Sequence, residues 1–223
     1  MMAKAAIFDV DGTLVDSVDL HARAWQEALS HFGKKVSFQD VREQIGKGGD
    51  QLLPVFFSKD ELRAKQKEIE EYRKKLFQQS YLAQVKGFPD VRKLFERLRQ
   101  DAFQIALASS AKGDELNFYK RASGIEDLVE AETSSDDAEK SKPEPDIFIA
   151  ALGRLKGVMR ERILVVGDTP YDAEAAGKAG LRTIGLLSGG FAEDKLRSSG
   201  CIAIYQNPSD LLSRYKDSPF SAL

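Results

Sequence analysis

Short apolar runs punctuate this chain, and polar residues gather where each run ends. Ala5-Ala6-Ile7-Phe8 comes first. It is followed by Ile105-Ala106-Leu107-Ala108, Ile163-Leu164-Val165-Val166, Thr183-Ile184-Gly185-Leu186-Leu187 and Ile202-Ala203-Ile204-Tyr205. The first run is apolar throughout, as a strand covered on both faces should be. Helical patterns separate most of the runs. One leads from Asp172 towards Ala179, with Gly180 placed as its stop, and another from Pro145-Asp146 to Leu155. Strands alternating with helices predict an α/β fold: a Rossmann-like parallel sheet with helices on both faces.

From about Ser17 to Gln84 that rhythm breaks. His21 to Phe32 reads as a helix, and Lys59 to Gln84 as one long charged helix or two, with Leu62, Ile69, Tyr72 and Leu76 as its apolar stripe. The dense Lys and Glu around that stripe read as a solvated face. The expected organisation is therefore a catalytic core of residues 1–16 and 85–223, with an all-helical cap of residues 17–84 inserted in it. The tail from Pro208 to Leu223 reads as a short helix and a frayed end.

Composition narrows the partners. With 223 residues the chain suffices for one core plus a small satellite. A net charge of -2 provides no basic field, so nucleic acid is not expected. The single cysteine, Cys201, precludes an intrachain disulfide and reads as a buried strand-end thiol. No apolar segment reaches the length of a signal-peptide core or a membrane span. The expectation is a cytoplasmic protein, a monomer or small homo-oligomer, with no membrane partner.

The polar residues at the run ends carry the chemistry. Asp9 and Asp11 lie two apart in Asp9-Val10-Asp11-Gly12-Thr13, so in extended geometry their side chains point the same way. Alone, this pair suits helix caps, calcium ligands or catalysis equally. Ser109 follows the second run, where a helix cap is its plainer reading. Lys142 lies in Ser141-Lys142-Pro143-Glu144-Pro145-Asp146 before a helix, and Asp168 and Asp172 follow the third run in Gly167-Asp168-Thr169-Pro170-Tyr171-Asp172. Each has an ordinary structural reading, but the set converges on the C-terminal edge of a parallel sheet, where such folds place ligands.

In order and spacing these residues resemble the four motifs of the haloacid dehalogenase-like hydrolase superfamily: Asp9-Val10-Asp11-Gly12-Thr13-Leu14-Val15-Asp16-Ser17, then Ser109, Lys142-Pro143, and Gly167-Asp168 with Asp172. The helical insert is similar to the cap of the phosphoglycolate phosphatase and β-phosphoglucomutase branch. The resemblance implies a Mg2+-dependent phosphatase acting on a small phosphorylated metabolite. Asp9 is then the covalent nucleophile, Asp11 the general acid and base, and Lys142 and Ser109 the groups that hold phosphate oxygens. Asp9, Asp168, Asp172 and Asp11, the last through its backbone carbonyl, are expected at the metal, with Asp172 holding a metal-bound water or orienting Lys142. Thr13, Ser110 and Lys47 are candidate substrate contacts, Lys47 within Gly46-Lys47-Gly48-Gly49-Asp50. Asp50 reads as a helix cap, and His21 and Trp25 as packing near a hinge.

The main alternative is a phosphomutase of the β-phosphoglucomutase type. In sequences of that type a glutamate precedes the aspartate of the fourth motif and a glycine stands four residues after it; here Gly167 and Asp172 occupy those places. A mutase cap also needs strong cations for a second phosphate, and Gly46 to Asp50 offers only Lys47. Dehalogenases lack the second aspartate, so Asp11 speaks against a carbon–halogen hydrolase. Phosphonoacetaldehyde hydrolases need a cap lysine in a helical context that Lys47 lacks. A non-catalytic binding protein on the same scaffold would leave the intact Asp9, Asp11, Lys142 and Asp168 set unexplained.

Overall fold

The computed structural model describes residues 2–223. Its first strand, β1 (Lys4–Phe8), runs through the middle of the molecule and sends alternate side chains to opposite faces. Ala6 and Phe8 enter one apolar cluster, Ala5 and Ile7 another. A two-residue strand β2 (Val15–Asp16) follows. Helices α1 (Val18–His31), α2 (Phe38–Arg42), α3 (Gly49–Leu52) and α4 (Lys59–Ser80) come next. The chain returns through β3 (Lys86–Gly87), which pairs antiparallel with β2, Val15 opposite Gly87. Then come α5 (Val91–Gln100), β4 (Phe103–Ala108), α6 (Gly113–Ser123), β5 (Ala131–Thr133), α7 (Asp146–Arg154), β6 (Ile163–Gly167) and α8 (Pro170–Lys178). The chain closes with β7 (Arg182–Leu186), α9 (Glu193–Ser198), β8 (Cys201–Tyr205) and α10 (Pro208–Ser213).

Six strands form one parallel sheet in the order β5-β4-β1-β6-β7-β8. One apolar cluster packs α5 and the C-terminal turns on one face, and the other packs α7 and α8 on the opposite face. This is the expected α/β architecture. Three strands leave no signal in the sequence. β5 is three residues with a glutamate at its centre, and β2 and β3 are two residues each, too short for any period to register.

Between β2 and β3 every helix or strand among the described residues is helical, and the segment has its own apolar cluster, including Trp25, Leu29, Leu52, Leu62 and Ile69. α4 starts at a capping box, Ser58 with Glu61. Its buried stripe is Leu62, Ile69 and Phe77; Tyr72 and Leu76, expected in that stripe, are half-buried.

The expected frayed tail is packed instead. Tyr215 and Phe220 are buried and stacked at 5.9 Å, with Phe220 edge-on to Phe103. Cys201 is buried among apolar neighbours, which pushes its thiol up to about 12. No helix among the described residues is long and apolar enough to cross a membrane.

Candidate active site

The central strand delivers Asp9 to the sheet edge, where its N–H still continues the ladder to Val166 O at 2.9 Å. The chain then turns back on itself, Leu14 N–H donating to Val10 O, with Gly12 in the left-handed region at φ 78°. A side-chain carbon at Gly12 would lie 2.3 Å from Asp168 Oδ2, and one at Gly189 only 1.9 Å from it. Both glycines therefore let backbone close in on that carboxylate. β6 carries Asp168 past its end, and Thr169 caps α8 in a reciprocal box with Asp172, whose Oδ2 accepts from the Thr169 N–H at 3.1 Å and hydroxyl at 2.7 Å.

These turns gather Asp9, Asp168 and Asp172 so that one oxygen of each lies within 4.8 Å of the others, all buried. Lys142 is the counter-charge: its Nζ lies 2.5 Å from Asp9 Oδ1 and 2.7 Å from Asp172 Oδ1, and donates to Ala108 O at 3.2 Å. One ammonium does not neutralise three carboxylates. Burial, opposed by Lys142 and reinforced by Asp172 and Asp11, raises Asp9 to about 7. Asp168 is likewise raised well above the usual carboxylate range, by burial and then by the charges of Asp9 and Asp172. For Lys142 burial pulls downward, but Asp172 and Asp9 outweigh it and hold the ammonium charged.

One oxygen in this cluster has no partner. Asp168 Oδ1 accepts from the Thr13 hydroxyl at 2.8 Å, but Oδ2 is buried without a hydrogen bond. Asp172 Oδ1 also makes no directional hydrogen bond, yet the Lys142 ammonium beside it satisfies it. An orphaned carboxylate oxygen in an over-acidic cluster of oxygen donors fits a hard divalent cation such as Mg2+.

Asp11 stands apart from the triplet. Its Oδ1 accepts from Ser17 Oγ at 2.6 Å and meets His21 Nε2 at 2.8 Å. Burial pushes Asp11 upward, but His21, Ser17 and Arg73 outweigh it and hold the carboxyl below its usual range. The Asp11 side chain is thus committed to the helical segment, and its backbone carbonyl, the atom expected at the metal, stays separate from those bonds. His21 does more than the packing expected of it. It stacks on Phe77 at 4.0 Å, and its Nδ1 meets an Arg73 guanidinium nitrogen. Arginine only donates, so Nδ1 accepts and Nε2 carries the hydrogen. Tyr119 OH, 3.1 Å from Nε2, donates onward to Glu115 Oε1.

Two other expected contacts are turned inward. Thr13 is fully buried with its hydroxyl on Asp168, and Ser109 is fully buried with its Oγ accepting the Ala111 N–H at 3.0 Å. Neither lines the cleft over Asp9 and Asp11. That cleft, of about 830 Å³, is lined by Ser110 and Lys47 from the expected set and by an unforeseen face of α4 that includes Gln66, Glu70 and Arg73. The charge run on α4 is therefore part solvated face and part cleft wall. The sequence does carry a signal for Arg73: it stands four residues from Ile69 and four from Phe77, a cation on the buried stripe. Its guanidinium lies over the rings of Trp25 and Phe77 at 5.1 and 5.2 Å. Lys47 donates to Gln44 Oε1 at 2.7 Å and sits 4.6 Å over the Tyr171 ring; burial lowers its pKa.

Known proteins share this plan. A phosphoglycolate phosphatase of Aquifex aeolicus is 31% identical over 214 residues, 94% of this chain and 95% of that protein. A phosphorylated carbohydrates phosphatase of Thermotoga maritima is 27% identical over 219 residues, 96% of this chain and 99% of that one. The crystal structure of a hydrolase from Pseudomonas syringae, 27% identical, superposes with a TM-score of 0.85 over 96% of this chain and 98% of that chain. Residues 6–186 match the family model described as haloacid dehalogenase-like hydrolase, and with the buried carboxylate–lysine cluster at its sheet edge this chain belongs to that family.

Proposed function

We propose that this hydrolase is a Mg2+-dependent phosphatase that releases inorganic phosphate from a small phosphorylated metabolite through an aspartyl-phosphate on Asp9. The observation that carries this reading is the position of Asp9. Its carboxylate belongs at once to the buried triplet and to the Lys142 ion pair, at the floor of the cleft. The names of the phosphatase relatives support the same class of substrate. In this reading residues 17–84 form a cap over a core of residues 1–16 and 85–223, and the protein works as a monomer or small homo-oligomer.

Asp9, Asp168 and the Asp11 carbonyl would hold Mg2+, with Asp172 behind them. When bound, the ion neutralises phosphate oxygens and so lets an anionic nucleophile approach. Lys142 holds a further phosphate oxygen, and Asp172 aims it. Backbone N–H groups near Ser110 donate to the rest, while Ser109 shapes that turn from beneath. Asp9 attacks phosphorus in line; the new P–O bond forms as the ester P–O bond breaks, and the leaving oxygen takes a proton from Asp11. Water then attacks the phosphoryl group, Asp11 removes its proton, and the Asp9–phosphorus bond breaks to free phosphate. The depressed pKa of Asp11 suits the second half. For the first half, an anionic substrate beside it favours proton uptake.

Gly167 supports a hydrolase rather than a mutase. A side-chain carbon there would lie 2.5 Å from Asp172 Cβ, so with aspartate at 172 no glutamate fits at 167. The mutase pattern needs both places changed together. The scarcity of cap cations no longer counts, since Arg73 reaches the cleft. A Mg2+-containing panel of phosphomonoesters, with Asp9→Asn as the control for contaminants, is expected to give net phosphate release without a bisphosphate activator. Isomerisation of β-glucose 1-phosphate that outruns phosphate release would replace this reading with the mutase.

A further inference from the structure

Residues 43–50 of the helical segment rest directly on the loop that carries Lys142 and on the N-terminus of the helix that carries Asp172. A side-chain carbon at Gly48 would lie 2.0 Å from Ser141 Oγ, and one at Gly46 would lie 2.7 Å from Thr169 Cγ2. Only bare backbone seats at those distances, and Gly46 also has φ 107°. Directed bonds accompany the contact. Asp50 Oδ2 accepts the Ser141 backbone N–H at 3.1 Å, and Tyr171 OH donates to Glu43 O at 2.6 Å. Asp50 does not cap α3: the residue at that position is Gly48, with no side-chain cap bond.

Both footholds flank one ion pair. Ser141 immediately precedes Lys142, and Thr169 caps the helix that bears Asp172 and bonds its Oδ2 at 2.7 Å. The Lys142 ammonium lies 2.7 Å from the other oxygen of Asp172. Between β5 and α7 the only regular element is a short 3-10 turn at Ser135–Asp137, so neither a strand ladder nor an α-helix holds the backbone of Lys142. The Ser141 N–H bond supplies a fixed point one residue away.

We propose that Asp50 is a positioning residue: by accepting the Ser141 N–H it ties the helical segment to the Lys142 loop, so that the lysine is aimed at Asp9 while that segment is seated on the core. The Gly46 and Gly48 contacts make the seat, and Asp50 locks it. Substrate that holds the segment down thereby completes its own phosphate site, and an unseated segment leaves Lys142 less well aimed. This inference rests on the phosphatase reading above.

The test compares Asp50→Ala with Asp50→Asn, whose amide oxygen can still accept the Ser141 N–H. Asp50→Ala is expected to lower kcat about tenfold, for the preferred substrate and for p-nitrophenyl phosphate alike, with KM nearly unchanged. Asp50→Asn is expected to restore most of it. Amide exchange in the 139–146 segment, followed by mass spectrometry without substrate, should quicken in Asp50→Ala and not in Asp50→Asn. Wild-type kcat in Asp50→Ala overturns the proposal, as does an equal loss in both variants. If the wild type hydrolyses no ester, the phosphatase reading falls instead, and exchange alone decides: quickening confined to the alanine variant supports the tie, and equal exchange overturns it.

Discussion

The two walls of the cleft are built on different terms. At the sheet edge Asp9 faces the cleft and Lys142, Asp168 and Asp172 are buried behind it, the carboxylates aimed by strand ends and a capped helix. Across from them α4 presents Gln66 and Glu70 half-buried and Lys67 and Lys74 exposed. A nearby pair, Lys112 with Asp136, has both side chains more than half exposed. Charges interact strongly where water is excluded, while exposed pairs contribute little. Changes at the sheet edge should therefore act on the chemical step and the metal, and changes on the α4 side on substrate preference, by smaller factors.

The sharpest way to break this contrast is at Asp9. Asp9→Asn should lower turnover by more than about 10³-fold, as removal of a covalent nucleophile does. It should leave the metal-free fold at least as stable, because it relieves an over-acidic cluster. Beryllium fluoride with Mg2+ should form its adduct on Asp9 in the wild type only. Turnover near wild type in the variant would mean that the buried cluster is not the reaction centre.

A second test separates members of that cluster. Asp168→Ala should weaken Mg2+ binding by roughly 10- to 100-fold and Asp172→Ala by less, since the first has the unpartnered oxygen and the second is engaged by Thr169 and Lys142. Titration calorimetry checks the ranking. The same carboxylates set a pH dependence. Asp9, raised from 3.8 to about 7, keeps its proton in the folded chain where the unfolded chain has lost it. Its contribution to metal-free stability therefore falls as pH rises through that window. Mg2+ binds the deprotonated form, so it should raise the melting temperature more at the alkaline end than at the acid end. An equal shift at both ends would separate the metal from Asp9.

The smallest effect belongs to the other wall. Lys47→Ala should raise KM for the preferred substrate about fivefold, the scale of one surface ion pair, and spare p-nitrophenyl phosphate. Equal losses on both substrates would place Lys47 in the chemical step and blur the contrast between the walls.

Much of the core is legible in the sequence. The apolar runs that form β1, β4, β6, β7 and β8 are continuous because both faces of a central parallel strand are covered, and such runs stand out. The carboxylates are legible for a related reason: they follow run ends, and strand ends converge at one sheet edge, while Lys142 is legible as a cation just ahead of a helical pattern. β5 and the β2–β3 pair are not, since their stability comes from neighbours already in place rather than from their own residues. The packed tail is hidden likewise, because Tyr215 and Phe220 find a partner, Phe103, only across the fold.

By itself, then, the order of residues along the chain determined the fold class, the helical insertion and which side chains carry the charge at the sheet edge, because period and spacing are local properties of a covalent chain. Where Thr13 and Ser109 turn, that Asp11 leans on Ser17 and His21, that Arg73 reaches the cleft and that Asp50 meets the Ser141 N–H were decided only by tertiary structure. Apart from the nearby Asp11–Ser17, Asp11–His21 and Ser109–Ala111 pairs, these contacts join residues distant in sequence. A hydrogen bond between 50 and 141 leaves no period, only a distance that packing sets.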